Sequence, residues 1–250
     1  MKAKIISRLL IVFMCFGFLT FDCYGQDNMK LKSIEEQNHS IKMVGDSIVV
    51  GERLIWGNMK TNYFENGKIY STEFFNKQGI LTSKSIYNYD NKGSKSYMIS
   101  FNPSGIQVDS IKINYDIDGC EINNLCFNQQ GELYRKFEFI CNSENKKIQE
   151  DWFTSSGEKE MTMRYKYDSS GFVNEIISID YFNHRYDSTI YVNDKFGNTI
   201  ESKSFKKNGK LDSVTKYDYK FDNYGNWYER LRNYDNYSLS ITRRKIKYYD

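Results

Sequence analysis

Apolar and charged residues alternate with a period of two along most of the chain, which is the pattern of strands with one buried face. Between 157 and 171, Lys159, Met161, Met163, Tyr165 and Tyr167 share one parity, against Glu158, Glu160, Thr162, Arg164 and Lys166. Leu211, Ser213, Thr215, Tyr217, Tyr219 and Phe221 alternate likewise with Lys210, Asp212, Val214, Lys216, Asp218 and Lys220. Leu133, Phe137, Phe139 and Cys141 follow the same rule, as do Tyr97, Ile99 and Phe101. The rule predicts one strand per segment, with the apolar face on odd-numbered residues. It weakens over 183–197, where Tyr186, Ile190 and Val192 take the parity opposite to Tyr191; a bulge or a covered outer face would account for that.

The segments are separated by one recurring phrase: an aromatic residue, Asn or Asp, two free positions, then Gly. It occurs as Phe75-Asn76-Lys77-Gln78-Gly79, Tyr89-Asp90-Asn91-Lys92-Gly93 and Phe101-Asn102-Pro103-Ser104-Gly105. It returns at Tyr115–Gly119, Phe127–Gly131 and Tyr167–Gly171. Asn or Asp at the first turn position and Gly at the fourth are type I turn preferences, and Gly takes positive φ without penalty. Pro103, the chain's one proline, sits where a fixed φ fits. The phrase therefore predicts β-hairpin turns. Its last residues run Gly67, Gly79, Gly93, Gly105, Gly119, Gly131, Asn145, Gly157, Gly171, Asn183, Gly197 and Gly209, at intervals alternating 12 and 14. Where glycine is missing, asparagine replaces it, the next residue best able to take φ > 0. Gly225 and a degraded turn beside Asn236 continue the series.

The expected fold is all-β: an antiparallel meander of hairpin repeats with a 26-residue period, about 13 to 15 strands in one large, twisted and curled sheet. Residues 1–25 read as a signal peptide, 26–62 as irregular N-terminal strands and 63–250 as the repeat domain. Within the N-terminal part, Ser47–Val50 and Arg53–Trp56 look like strands.

The phrase resembles the YD repeats of RHS-type proteins. Arg164-Tyr165-Lys166-Tyr167-Asp168-Ser169-Ser170-Gly171 fits the R-Y-x-Y-D-x-x-G core, and residues 217–226 are a looser copy. The resemblance covers roughly residues 63 to 237 and implies a hairpin-repeat architecture. RHS proteins are far longer and build closed shells around a toxin domain. This chain looks more like small exported YD-type repeat proteins of Gram-negative bacteria, and no functional residue carries over.

Composition agrees with strands: aromatics are 16% of the 250 residues, with 21 Tyr and 17 Phe. Lys2, Lys4 and Arg8, the apolar run Leu9–Phe21 and small residues before Gln26 mark an export signal too short to span a membrane. No transmembrane segment is expected after its cleavage. Asp22 fits poorly before a lipidated Cys23, so a lipoprotein is disfavoured. Removing the signal changes 35 basic against 32 acidic residues into 32 against 31, which is no footprint of a nucleic-acid binder. Arg243, Arg244, Lys245 and Lys247 read as a charged edge strand. Cys120, Cys126 and Cys141 remain. Cys120 and Cys126 end one strand roughly 20 Å apart. Parity puts Cys120 and Cys141 on opposite faces, which disfavours their pairing. With no C-x-x-C, zinc has no support.

Chemistry is sparse. His39 and His184 are the only histidines and read as surface side chains. Asp116 and Asp118 echo a calcium loop but are explained as a turn. Glu150 and Asp151 point to opposite faces, and Glu158 and Glu160 share a solvated one, so neither makes a glycosidase pair. No cofactor motif is present. Four aromatic residues expected on the outer face remain for binding: Tyr134, Trp152, Tyr186 and Tyr228. The sequence thus points to an exported, non-enzymatic binding or scaffold protein meeting a protein or glycan of the envelope. A polymer hydrolase and a subunit joined through open sheet edges are the alternatives.

Overall fold

The computed structural model describes residues 30–44, 47–55, 57–234 and 237–249. The signal peptide, Cys23, Trp56 and the turn at Asn236 fall outside them. The described residues form β1 (Leu31–Val44), β2 (Ser47–Arg53), β3 (Asn58–Tyr63), β4 (Ile69–Phe75), β5 (Leu81–Tyr89) and β6 (Lys95–Phe101). Then come β7 (Gln107–Tyr115), β8 (Glu121–Asn128), β9 (Leu133–Cys141), β10 (Lys147–Thr154), β11 (Lys159–Tyr167) and β12 (Val173–Asp180). The last are β13 (Arg185–Asn193), β14 (Thr199–Lys206), β15 (Leu211–Phe221), β16 (Trp227–Tyr234) and β17 (Tyr237–Tyr248).

The turns do what their residues dictate. Asn76 accepts the Gly79 amide on its carbonyl at 3.0 Å, and its side-chain Oδ1 takes the amides of Gln78 at 3.0 Å and Ile80 at 2.9 Å. Asp90, Asn102, Asp116, Asn128, Asn142, Asp168, Asp194 and Asp222 repeat the arrangement. Asn145 takes φ +57°, as its place in the series requires. At the other asparagine the series slips: the left-handed residue is His184, φ +51°, not Asn183. Gly105 has φ +78° and open space around an added Cβ, whereas at Gly197, φ +84°, that carbon would meet Phe172 at 2.5 Å. Gly105→Ala should therefore cost about 1–2 kcal/mol from conformation alone, and Gly197→Ala more, as read by urea unfolding; equal losses would show that Phe172 moves aside freely.

Each of these turns except the one at His184 is followed by a bulge. Cys126 pairs with Arg135 but Phe127 with Leu133, leaving Tyr134 as an extra residue on the strand leaving the turn. The same shift recurs in the β3–β4, β9–β10, β10–β11, β11–β12, β13–β14 and β15–β16 hairpins, among others. One extra residue reverses parity. The inward side chains are therefore odd on β9 (Phe137), even on β10 (Trp152), odd on β11 (Met163) and even on β12 (Ile176). The odd-face rule holds for β9, β11 and β15 and fails on β6, where Met98 and Ser100 are the buried residues. Over β13 the expected bulge or cover does not explain the pattern: Ile190 and Val192 lie exposed outside, while Tyr191 packs inward.

The sheet is not an open curl but a closed barrel. β1 pairs with β17 from Leu31↔Tyr248 to Ser40↔Ser240. On its other edge β1 pairs with β3 through Ser33–Glu36 and with β2 from His39 to Val44. β2 thus extends the β1 hairpin, and the ring has 16 strands. Closure needs stagger between strands, and the repeat supplies it. Pairing runs from Thr72 through Ser85 to Ser100, 28 residues on, two more than the turn period. The alternating 12 and 14 intervals produce that offset at each hairpin.

β17 is therefore no edge strand. Arg243 faces out to Glu229 at 3.0 Å, and Arg244 faces in to Glu36 at 2.6 Å. The outer wall carries cross-strand pairs such as Lys84–Glu73, Lys166–Glu175 and Lys220–Glu229. The inner wall carries the apolar cluster of Cys126, Phe137, Phe139, Trp152, Met163 and Ile176.

A candidate binding cavity on the inner wall

The two ends of the barrel differ in chemistry. At one end the turn phrase begins with Phe75, Phe101, Phe127, Phe153 and Phe205. At the other it begins with Tyr89, Tyr115 and Tyr167, and the hydroxyls of Tyr89, Tyr167 and the nearby Tyr219 reach back across the sheet. Tyr89 donates to the Ile69 carbonyl at 2.7 Å, Tyr167 to Lys147 at 2.6 Å and Tyr219 to Thr199 at 2.9 Å, each spanning 20 residues. Phenylalanine cannot make this clamp. Where the tyrosine is missing, two substitutes appear. Asn193 donates from Nδ2 to Val173, also 20 residues back, and Cys141 bonds covalently to Cys120.

The disulfide overturns the expectation that these cysteines lie on opposite faces. β8 and β9 pair Asn123↔Glu138 and Cys126↔Arg135; continued past the last ladder rung, the register sets Cys120 opposite Cys141. The two Cα atoms are 6.2 Å apart, within the range a bridge requires. The bulge after the turn supplies the parity change that reading along the chain left out.

Burial pushes the Tyr89 hydroxyl up to about 12, with Tyr87 nearby adding to it. Tyr115 is also pushed up to about 12, by burial and then by Glu121. A group raised in the folded state contributes stability that is fully present below its ordinary value, 10.0, and is lost as pH rises through the folded one. Unfolding free energy should therefore fall between about pH 10 and 12, and Tyr89→Phe should flatten the slope; a slope unchanged in that variant would remove Tyr89 from the explanation.

Beside the clamps, at the tyrosine end, opens a cavity of about 460 Å³. Its lining comes from eight consecutive strands, β5 to β12, including Tyr87, Met98, Ile111, Phe137, Trp152 and Ile176. Only the concave side of a barrel can bring so many strands to one space. Trp152 and Phe137 meet edge to face at 5.3 Å. Glu150 is the half-buried polar anchor: its Oε1 accepts the Trp152 indole N–H at 2.7 Å and its Oε2 the Tyr165 hydroxyl at 3.0 Å. Burial, then the Glu150 charge, raises the Tyr165 hydroxyl, so it stays a hydrogen-bond donor. Near the mouth Lys147 stands 3.4 Å over the Phe139 ring, 3.7 Å from Glu150 and 4.0 Å from Glu121.

The four expected binding aromatics do not form one patch. Trp152 is 3% exposed on the inner wall, contrary to its expected outer position, because β10 has the reversed parity. Tyr134 is the extra residue of its bulge and packs against the apolar cluster. Tyr186 and Tyr228 lie on β13 and β16, two strands that are not neighbours, and Tyr228 is 41% exposed. The cavity residues other than Trp152 escaped notice because each seemed an ordinary core position. His184 sits exposed on the β12–β13 turn, outside the cavity. The Asp116 carboxylate is occupied by turn amides.

Neither a family model nor a curated protein matches the chain. Among solved structures, the fold is similar to a porin-like protein from Bacteroides uniformis, with TM-score 0.55 and 10% identity over 87% of this chain and 98% of that one. A porin-like protein from Bacteroides vulgatus aligns at TM-score 0.43 and 14% identity, over 89% and 99% of the two chains. The Photorhabdus luminescens Tc holotoxin pore aligns at TM-score 0.30 and 12% identity, over 84% of this chain but 14% of that chain. What the Bacteroides uniformis likeness establishes is the fold alone: an all-β antiparallel meander closed into a barrel.

Proposed function

We propose that the protein is an exported, non-enzymatic binding protein that holds a small apolar or aromatic molecule inside a water-exposed barrel. The observation that carries this is the aromatic cavity enclosed by β5 to β12. Concave, mostly apolar spaces with a few convergent polar groups are the usual small-molecule sites. Rings from Tyr87, Phe137, Phe139 and Trp152 offer stacking faces, and Glu150, Tyr165 and Lys147 offer orientation.

The outer wall supports a barrel in water rather than one spanning lipid. A spanning barrel carries an apolar outer band, and a lysine or arginine at mid-membrane costs about 2–4 kcal/mol. Here Lys84, Lys166, Lys203, Lys216 and Arg243 stand outside on successive parts of the ring, each beside an acid. An envelope location fits both this wall and the sequence's export signal. The hydrolase alternative is the less supported reading. The cavity holds two carboxylates, but both Glu150 oxygens accept part-buried hydrogen bonds and Glu121 accepts from Asn124 at 2.8 Å. Assembly through open edges loses most of its basis too, since the ring closes and, among the described residues, only β2 pairs along a single edge.

The reading is tested with N-phenyl-1-naphthylamine, an apolar aromatic probe. It should bind once per chain with enhanced fluorescence, and Ile111→Trp, which fills the cavity, should weaken it at least tenfold. Equal binding by that variant, with its fold intact by circular dichroism, would sink the reading. Stable insertion into lipid vesicles would instead favour a membrane-spanning barrel.

A further inference from the structure

The arc of inner wall that the cavity does not reach has a different character. On β16, Arg230 and Arg232 alternate onto the inward face. Arg230 lies between Tyr219 of β15 and Thr242 of β17, and Arg232 between Tyr217 and Ser240. A neighbouring inward arginine, Arg244, has a carboxylate partner in Glu36. Among the described residues Arg230 and Arg232 have none, and the Nε of each is buried without a hydrogen-bond acceptor. The acid nearest in sequence, Glu229, faces outward to Lys220 and Arg243.

The surroundings hold the Arg230 guanidinium in place without neutralising it. Arg230 lies 5.7 Å from the Tyr217 ring centre and 5.0 Å from that of Trp227, and its Nη2 is 3.5 Å from the Thr242 hydroxyl oxygen. Ring faces fix a guanidinium plane without neutralising its charge. Thr215, Ser240 and Thr242 add buried hydroxyls to the same wall. Two residues apart on a strand, the arginine Cα atoms are about 7 Å from each other, a spacing at which two donor forks can converge on one tetrahedral oxyanion.

We propose that Arg230 and Arg232 form an oxyanion site for a phosphate group, distinct from the aromatic cavity. Two partly desolvated cations with no carboxylate partner among the described residues, each with a buried Nε that lacks an acceptor, call for an anion, and a doubly charged phosphate supplies both the charge and the acceptors. The group can be inorganic phosphate or the phosphate of a larger molecule. Isothermal titration of the full chain with sodium phosphate, at an ionic strength held constant with sodium chloride, is the test, with glycerol 3-phosphate as a second arm. Saturable binding at one site per chain is expected, weakened at least tenfold by Arg232→Gln and by Arg230→Gln and unchanged by Arg243→Gln on the outer wall. Tighter binding of glycerol 3-phosphate than of phosphate would identify the ligand as phosphate borne on a larger molecule. Arg232→Lys guards against a folding defect, because it keeps the charge, loses the fork and should still weaken binding. Phosphate that binds no better than chloride, or binding that survives both glutamine variants, would overturn the proposal.

Discussion

Trp152→Ala should lower the unfolding free energy by about 3–5 kcal/mol, the range for removing a buried large aromatic side chain. The indole is 3% exposed and is held on several sides. Phe137 meets it edge to face, Met161 pairs with it from β11, and the Arg135 guanidinium lies 5.8 Å from its ring centre. Its N–H is also one of the two neutral donors that satisfy the half-buried Glu150 carboxylate. Alanine would therefore remove apolar contact and leave a carboxylate oxygen short of a partner. Trp152→Phe should cost distinctly less, since it keeps one aromatic ring at the site while losing the second ring and the donor. Tyr228→Ala, on the outer wall, should stay within about 0.5 kcal/mol. Urea denaturation of the three variants checks the ranking. A loss below about 1 kcal/mol for Trp152→Ala would mean that the inner wall is not packed as described.

Opening the Cys120–Cys141 bridge should cost about 3 kcal/mol, the loop-closure value for a bridge across roughly 20 residues. The bridge spans 21 residues and joins neighbouring hairpins at the tyrosine end, where Asn145 also donates to the Asp118 carbonyl at 2.8 Å. Cys120→Ser, Cys141→Ser and the double variant should lose the same amount, and dithiothreitol should bring the parent protein down to their level. Cys126, a buried thiol in the apolar cluster, takes no part in the bridge. Cys120→Ala combined with Cys141→Tyr should recover part of the loss, because it restores the hydroxyl-to-carbonyl clamp seen at Tyr89, Tyr167 and Tyr219. A double variant no more stable than Cys141→Ser would show that bridge and clamp are not interchangeable. Unchanged stability under reduction would show that the bridge does not hold the two hairpins together.

Both predictions concern residues misplaced by the sequence reading, and for one reason. The turn phrase reports its own geometry faithfully because that geometry is local: an Asx side chain bonds amides two and four residues ahead. The bulge that follows carries no comparable mark, since the extra residue is Tyr134 in one hairpin, Glu160 in another and Tyr228 in a third. Without it, Phe127 opposite Leu133 keeps parity from strand to strand. With it, parity reverses at each hairpin, which sends Trp152 inside and sets Cys120 opposite Cys141. Tyr191, Met163 and Phe137 fall as expected because their strands keep the odd face inward.

The chain by itself determines the strand meander, the turns and their left-handed asparagine at 145, and the difference between a tyrosine end and a phenylalanine end, because all of these rest on contacts within one hairpin period. The 12 and 14 alternation even encodes the stagger a barrel needs. Only the tertiary structure decides closure, since β1 meets β17 more than two hundred residues away and no local pattern marks that pairing. It also decides which aromatic residues face the lumen, which is why the proposed sites lie within the ring rather than on an outer stripe.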